Sequence, residues 1–312
     1  MKLIRGIHNL RPRHRGCVAS IGNYDGMHLG HRQVLTQLVQ RAGQFDLPSL
    51  VMCFEPTPRE FFTGDNAPMR LSSFREKFRL VAEQGVDRFF CVRFDAGLAA
   101  MTPDEFIRQL LVEGIGVRHL VVGDDFRFGH NRAGDFQTLV RAGQEFGFAV
   151  DDTPSYSVVG ERVSSTGVRD ALAGGDMARA RLLLGRNYSI SGRVVHGEQL
   201  GRQLGFPTAN IRIGHRSSPL RGVFAVRVRG LGPLRDAVAN LGTRPTVNGR
   251  EMLLEVHIFD FAETIYGKRI EVEFVHKLRD EERFENIEAM TKQLERDARQ
   301  ARRLLAGPAA QE

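Results

Sequence analysis

The stretch Gly22-Asn23-Tyr24-Asp25-Gly26-Met27-His28-Leu29-Gly30-His31 decides the fold. An apolar run, Val18 to Ile21, precedes it, and a helical pattern from Gln33 to Ala42 follows. A glycine-rich connection from strand to helix places backbone amides at a helix N-terminus, where unsatisfied N–H groups and the helix dipole favour an anion. Gly22, Gly26 and Gly30 let backbone approach a ligand closely, and His28 and His31 can face the same anion. A lone H-x-x-H is a weak signal in a chain with ten histidines, so its place between strand and helix gives it weight.

Working outward, the same alternation recurs. Leu50 to Phe54 precedes Phe74 to Glu83, Phe89 to Val92 precedes Pro103 to Val112, and Leu120 to Val122 precedes Asp135 to Phe146. Strand followed by helix, repeated, implies βαβ units and a parallel sheet covered by helices. Ligands of such sheets bind at the carboxyl ends of the strands. Ser165 to Leu184 reads as two short helices separated by Gly174-Gly175.

Near Gly185 the apolar period changes to two, as in Arg269-Ile270-Glu271-Val272-Glu273-Phe274. Strands are expected at Tyr188 to Val195, Thr208 to Ile213, Val223 to Arg229, Ala237 to Leu241, Met252 to Phe259 and Ile270 to Val275, which closes naturally as a small antiparallel barrel. A final helix carries the apolar stripe Ile287, Met290, Leu294, Ala298, Ala301 and Leu305, with Glu288–Lys292 and Glu295–Arg299 on its polar side. A chain of 312 residues accommodates two domains, expected at 1–185 and 186–312.

Composition narrows the function classes. Apolar residues at 42% and charged residues at 26% exclude disordered, collagenous and disulfide-scaffold classes. No apolar window is long enough for a membrane span, and the basic segment Met1 to Gly16 has no apolar run behind it, so a cytoplasmic location is expected. Cys17, Cys53 and Cys91 sit in apolar surroundings that suit reduced buried thiols, and no metal on sulfur is expected. The net charge is +7 and most basic residues are arginine, a fork suited to phosphate. The arginines are scattered and Trp is absent, so no nucleic acid partner is expected. No G-x-x-x-x-G-K-[ST] occurs, which excludes a P-loop kinase.

Further segments carry chemistry. Asp125 in Val122-Gly123-Asp124-Asp125-Phe126-Arg127-Phe128-Gly129 lies just beyond the fourth expected strand, at the ligand edge. The hydroxyls of Ser164, Ser165 and Thr166 start a helix, with Arg169 one turn on, a setting for phosphates. In the second half a Gly-rich loop containing Gly201, Arg202 and Gly205 leads into Pro207-Thr208-Ala209-Asn210. Alternation puts Met252, Leu254, Val256 and Ile258 on the core side and Glu255 with His257 on the other.

The first motif resembles the H-x-G-H signature of the nucleotidylyltransferase superfamily. More specifically, it is similar to the opening motif of the bacterial bifunctional riboflavin kinase/FAD synthetase (FMN adenylyltransferase) family, with Tyr24 where Phe is usual. Phe54-Glu55-Pro56-Thr57-Pro58 resembles that family's F-E-P-H-P box with Thr57 in place of His, and Ser164-Ser165-Thr166-Gly167-Val168-Arg169 resembles its I-S-S-T-x-I-R motif. Pro207 to Asn210, Asn240-Leu241-Gly242-Thr243-Arg244-Pro245-Thr246 and Leu278-Arg279-Asp280-Glu281 resemble its kinase domain.

The resemblance implies a Rossmann-like α/β nucleotidylyltransferase domain with a parallel sheet, then a six-stranded antiparallel β-barrel with a terminal helix. It implies phosphorylation of riboflavin to FMN and adenylylation of FMN by ATP to FAD with release of pyrophosphate. His28 and His31 are then catalytic at the α-phosphate, and Glu255 is the general base of the kinase step. Thr208 and Asn210 hold Mg²⁺ with ATP. Gly22, Asn23, Tyr24, Asp25, Gly26, Gly123, Asp125, Phe126, Ser164, Ser165, Thr166, Arg169, Gly201, Arg202, Gly205, Pro207, Asn240 and Arg279 line the nucleotide and flavin sites. Flavin enters as substrate, and no redox cofactor is expected. The rival reading is a non-catalytic nucleotide- or RNA-binding protein built from an α/β domain and a small barrel.

Overall fold

The computed structural model describes residues 1–197, 201, 204–214, 218–246 and 249–307, without the side chains of 244–246 and 249–251. The chain divides into two compact units, one of residues 1–68 and 72–164, the other of residues 69–71 and 165–312.

The first unit is built on a six-stranded parallel sheet. Its strands are β1 (Lys2–Arg5), β2 (Cys17–Ile21), β3 (Ser49–Glu55), β4 (Arg88–Arg93), β5 (Val117–Gly123) and β6 (Ala149–Thr153), in the order β1-β4-β3-β2-β5-β6. Both faces are buried, and successive residues alternate between two apolar layers. Leu50 and Met52 join one core with Phe106 and Leu110; Val51 and Cys53 join the other with Leu35, Leu38 and Leu80. This double burial explains why β2 to β5 read as continuous apolar runs. The edge strands β1 and β6 do not: Lys2–Arg5 carries a charge at each end and Ala149–Thr153 holds Asp151 and Asp152, so neither carries the apolar signature of a buried strand. A two-stranded hairpin, β7 (Ser157–Val158) with β8 (Glu161–Arg162), follows.

The second unit opens with helices Ser165–Ala173 and Met177–Leu184, as the paired glycines predict. The latter buries Ala180, Leu183 and Leu184 and packs against β9 (Tyr188–Val195) and β14 (Arg269–Arg279). With β10 (Ala209–Gly214), β11 (Gly222–Arg229), β12 (Arg235–Thr246) and β13 (Gly249–Ile258), these strands close an antiparallel barrel in the order β10-β13-β12-β11-β14-β9. Phe224, Val226, Leu254, Val256, Val272 and Phe274 are buried, and Phe224 meets Phe274 edge-on at 5.3 Å. Val223, Ala225 and Val238 face outward and pack with Ala301 and Leu305 of the helix Ile287–Leu305. The expected pairs Glu288–Lys292 and Glu295–Arg299 form on that helix at 2.6 and 3.8 Å.

One buried ion pair ties this helix to the barrel. Arg279 Nε lies 3.1 Å from both Asp297 carboxylate oxygens and Nη2 lies 2.8 Å from one of them, while Gln293 donates to the same group at 2.9 Å. Asp297 is 2% exposed. Removing one partner of such a pair leaves an uncompensated buried charge, which typically costs about 3–5 kcal/mol. Asp297→Ala is therefore expected to lower the unfolding free energy by about that amount, read by urea denaturation. A loss below about 1 kcal/mol, the scale of an exposed pair, would show that the helix is held by its apolar stripe alone.

Candidate active sites

In the first unit the signature stretch leaves the carboxyl end of β2, and α1 (Leu29–Gln44) begins within it. The loop is shaped by contacts distant in sequence. Ser72 donates its backbone N–H and its hydroxyl to Asp25 Oδ1 at 3.0 and 3.1 Å, and its Oγ accepts the Gly26 N–H at 3.1 Å. Ser20 donates to the Val121 carbonyl at 2.6 Å, so the Tyr24 hydroxyl donates to Ser20 Oγ, also at 2.6 Å. Tyr24 thus departs from the expectation of a ligand contact: its ring is in the core and its hydroxyl is tied inward. Tyr24 at φ 49° and Met27 at φ 45° bend the chain sharply around Gly26 at φ 80°.

His28 caps α1. Its Nδ1 accepts the His31 N–H at 3.2 Å, which leaves the proton on Nε2. The two imidazoles stack with centroids 3.6 Å apart and planes 15° from parallel, brought together by their helical spacing. A Cβ on Gly30 would press on the His28 ring at 3.3 Å, which explains the small residue between them. His31 Nδ1 is buried with no hydrogen-bond partner. Desolvation, followed by the nearby His28 and Lys77, holds the His31 pKa well below the usual histidine value. His28, accepting at Nδ1, presents its Nε2–H, and His31 is held toward its neutral form.

Other expected residues lie along the same unit. Thr57 caps the short helix Pro58–Thr63 in a reciprocal box with Glu60, which gives the Thr that replaces His a structural role. Gly123 ends β5, Asp125 is exposed and paired with Arg162 at 2.7 Å, and Phe126 stacks on Phe128. Ser164 is the last residue of the first unit. Ser165, Thr166 and Arg169 start the second, where Arg169 Nε donates to the Met69 carbonyl at 2.6 Å.

In the barrel, register sets Glu255 of β13 directly opposite Asn210 of β10 on one side and Asn240 of β12 on the other. Directly paired residues share a face, and Asn240 is in turn opposite Val223, so this polar row lies outside the barrel. Met252, Leu254, Val256 and Ile258 are buried as alternation predicts. The Oδ1 atoms of Asn210 and Asn240 are both buried without a hydrogen-bond partner. A Cβ at Gly197 would clash with the Asn210 amide, so Gly197 is small because Asn210 occupies that space.

The loop before β10 is closed by the Phe206 N–H donating to Gly201 O at 2.7 Å, with Gly205 at φ 81°. His257, two residues from Glu255, donates from Nδ1 to the Pro207 carbonyl at 2.9 Å and meets the Phe206 ring. This tether on the Pro207-Thr208 segment is the contribution of His257, which pattern reading placed only as a non-core residue. Gly242 lacks a Cβ where the Glu281 carboxylate lies, so two distant motifs meet there. Arg279, expected at the ligand, is committed to Asp297. Arg202 lies outside the described residues. Among the described residues no three His, Cys, Asp or Glu side chains form a metal cluster, and the buried Asn210 Oδ1 is a hard donor that fits Mg²⁺ in company with phosphate oxygens.

Comparison with known proteins matches both halves of the chain. A family model described as FAD synthetase matches residues 10–167, and one described as riboflavin kinase matches residues 184–305. A bifunctional riboflavin kinase/FMN adenylyltransferase of Escherichia coli (strain K12) is 51% identical over 305 residues, 97% of each chain. That of Pseudomonas fluorescens is 49% identical over 311 residues, 99% of each. A crystal structure described as a macrolide-efflux protein from Streptococcus pneumoniae superposes with a TM-score of 0.83 at 27% identity, covering 97% of this chain and 99% of that one. No described helix of this chain is long and apolar enough to cross a membrane. The rival reading of a non-catalytic nucleotide- or RNA-binding protein finds no support among these relatives. With both halves matched in order and half of its residues shared with relatives along nearly their whole length, the chain belongs to the bifunctional riboflavin kinase/FMN adenylyltransferase family.

Proposed function

We propose that the family's two reactions are divided between the two halves of the chain, with residues 186–312 phosphorylating riboflavin and residues 1–185 adenylylating FMN. The observation that carries this reading is that each compact unit holds a chemically distinct polar cluster: the stacked His28–His31 pair in one, the Asn210–Glu255–Asn240 row in the other.

In the kinase step, Glu255 takes the proton of the riboflavin 5′-hydroxyl as that oxygen attacks the γ-phosphorus of ATP, giving FMN and ADP. Thr208 and Asn210 hold Mg²⁺ with the nucleotide, and His257 positions the segment that bears them. The metal, when bound, offsets charge on the phosphates. In the second step a phosphate oxygen of FMN attacks the α-phosphorus of a second ATP. The bond from that phosphorus to the bridging oxygen breaks, and its electron pair leaves with pyrophosphate. His28 and His31 donate hydrogen bonds to the oxygens on which charge accumulates, so positioning and electrostatics supply the acceleration. Reduced, buried cysteines accord with a cytoplasmic location.

Three outcomes test this reading. His28→Ala or His31→Ala is expected to slow FMN adenylylation roughly 10²-fold or more while riboflavin phosphorylation survives; parallel loss of both activities would reject separate sites. Glu255→Gln is expected to lower kinase turnover about 10²- to 10⁴-fold with the thermal midpoint nearly unchanged, and wild-type turnover would remove Glu255 as the base. Asn210→Ala is expected to shift the magnesium titration of the kinase step upward without altering adenylylation of supplied FMN. An unshifted curve would demote Asn210 to a structural residue.

A further inference from the structure

Lys77 is a lysine where no lysine is needed for packing. It lies in the second turn of the helix Phe74–Ala82, is only 2% exposed, and ranks among the largest fully buried side chains of the protein. Among the described residues no carboxylate forms an ion pair with it, and it retains no other side-chain partner. Burying an ammonium without a counter-charge is costly, and lysine is almost never found so buried unless paired. The surroundings are those of a ligand edge. Its charge acts on His31, on Cys53 of β3 and on Cys91 of β4, and those two cysteines are register neighbours.

The helix that carries Lys77 is fixed to the signature loop from its first residues. Ser73 caps it in a reciprocal box with Glu76, and the preceding Ser72 makes the three hydrogen bonds to Asp25 and Gly26 described above. Lys77 is therefore held in a constant relation to the His28–His31 pair. A second observation concerns the pair itself. Two imidazoles stacked at 3.6 Å would repel if both were charged, and His31 Nδ1 is buried with no partner. The histidines offer directed hydrogen bonds but little net charge, while four negative charges must be held on the phosphate chain of ATP.

We propose that Lys77 is the fixed cation of the adenylyl-transfer site, contacting the nucleotide phosphate chain on the side that departs as pyrophosphate. The anion it lacks in the protein is the one the substrate brings. The inference rests on the reading that the histidine pair is the adenylyl-transfer site. As the bond from the α-phosphorus to the bridging oxygen breaks, the electron pair passes to the leaving group beside the ammonium. A neutral methylene stem under the ammonium suits the apolar layer that the side chain crosses.

The test uses the full chain with Lys77→Met, which keeps length and apolar stem, and Lys77→Arg, which keeps the charge. Expected for the Met variant are a fall in kcat/KM for FMN adenylylation of about 10²-fold or more, loss of the rise in thermal midpoint that inorganic pyrophosphate with magnesium gives the wild type, and unchanged riboflavin phosphorylation. Its midpoint without ligand should equal or exceed that of the wild type, because an unpaired buried charge has been removed. The Arg variant should recover part of the pyrophosphate response. Adenylylation and pyrophosphate response near wild type in the Met variant would overturn the inference, and so would a Met variant that is destabilised or unfolded, since that outcome makes Lys77 structural. His28→Ala in parallel separates the two ideas: if it retains adenylylation, the reading of the site has failed, whereas its loss beside an active Lys77→Met variant removes only Lys77.

Discussion

Every backbone N–H and C=O that enters a core must find a partner, and the two halves of this chain meet that requirement in opposite ways. The first half pairs parallel strands, which no short hairpin can join, so crossover segments containing helices cover both faces of the sheet. The second half pairs antiparallel neighbours until the sheet closes on itself and no edge is left. The position of each candidate site follows from that choice. Crossovers put the loop Gly22–His28 and the N-terminus of α1 at the carboxyl edge of the sheet. A filled barrel interior leaves the outer surface as the place for polar chemistry, and there the Asn210–Glu255–Asn240 row is found.

Polar groups in these sites divide into those already satisfied and those left for something else. Asp25, Tyr24, Arg279 and His257 spend their hydrogen bonds on the protein: the first two hold a loop, the third a helix, the fourth a strand approach. His31 Nδ1, Asn210 Oδ1 and Asn240 Oδ1 are buried without partners. Such groups cost stability in an unliganded protein, and proteins retain them where a ligand completes the network. The satisfied residues give the unsatisfied ones their precision, because a donor aimed at developing charge is effective only if it does not reorganise.

Several features were legible in one dimension because their physics is local. The double burial of β2 to β5 appears as unbroken apolar runs, the half-burial of β13 and β14 as alternation, and the His28–His31 stack as a helical spacing. The glycine-rich turn between strand and helix, and the polar face that Glu255 shares with His257, were equally visible. The edge strands β1 and β6 were not, since a strand covered on fewer sides carries charge and loses its apolar signature.

What the sequence by itself determined, then, is the order of elements, the class of each half and the identity of most residues that the family uses. Tertiary structure alone decided which of them stand together. Ser72 reaches Asp25 across 47 positions, His257 reaches Pro207 across 50, and Glu255 meets Asn210 and Asn240 through the register of two different strand pairs. Lys77 is an ordinary helical lysine in the sequence, and only the fold shows its side chain buried and its charge felt at His31. The reason is physical: periodicity records how each residue meets its own helix or strand, whereas pairing, burial of charge and the absence of a partner are properties of chain segments brought together from afar.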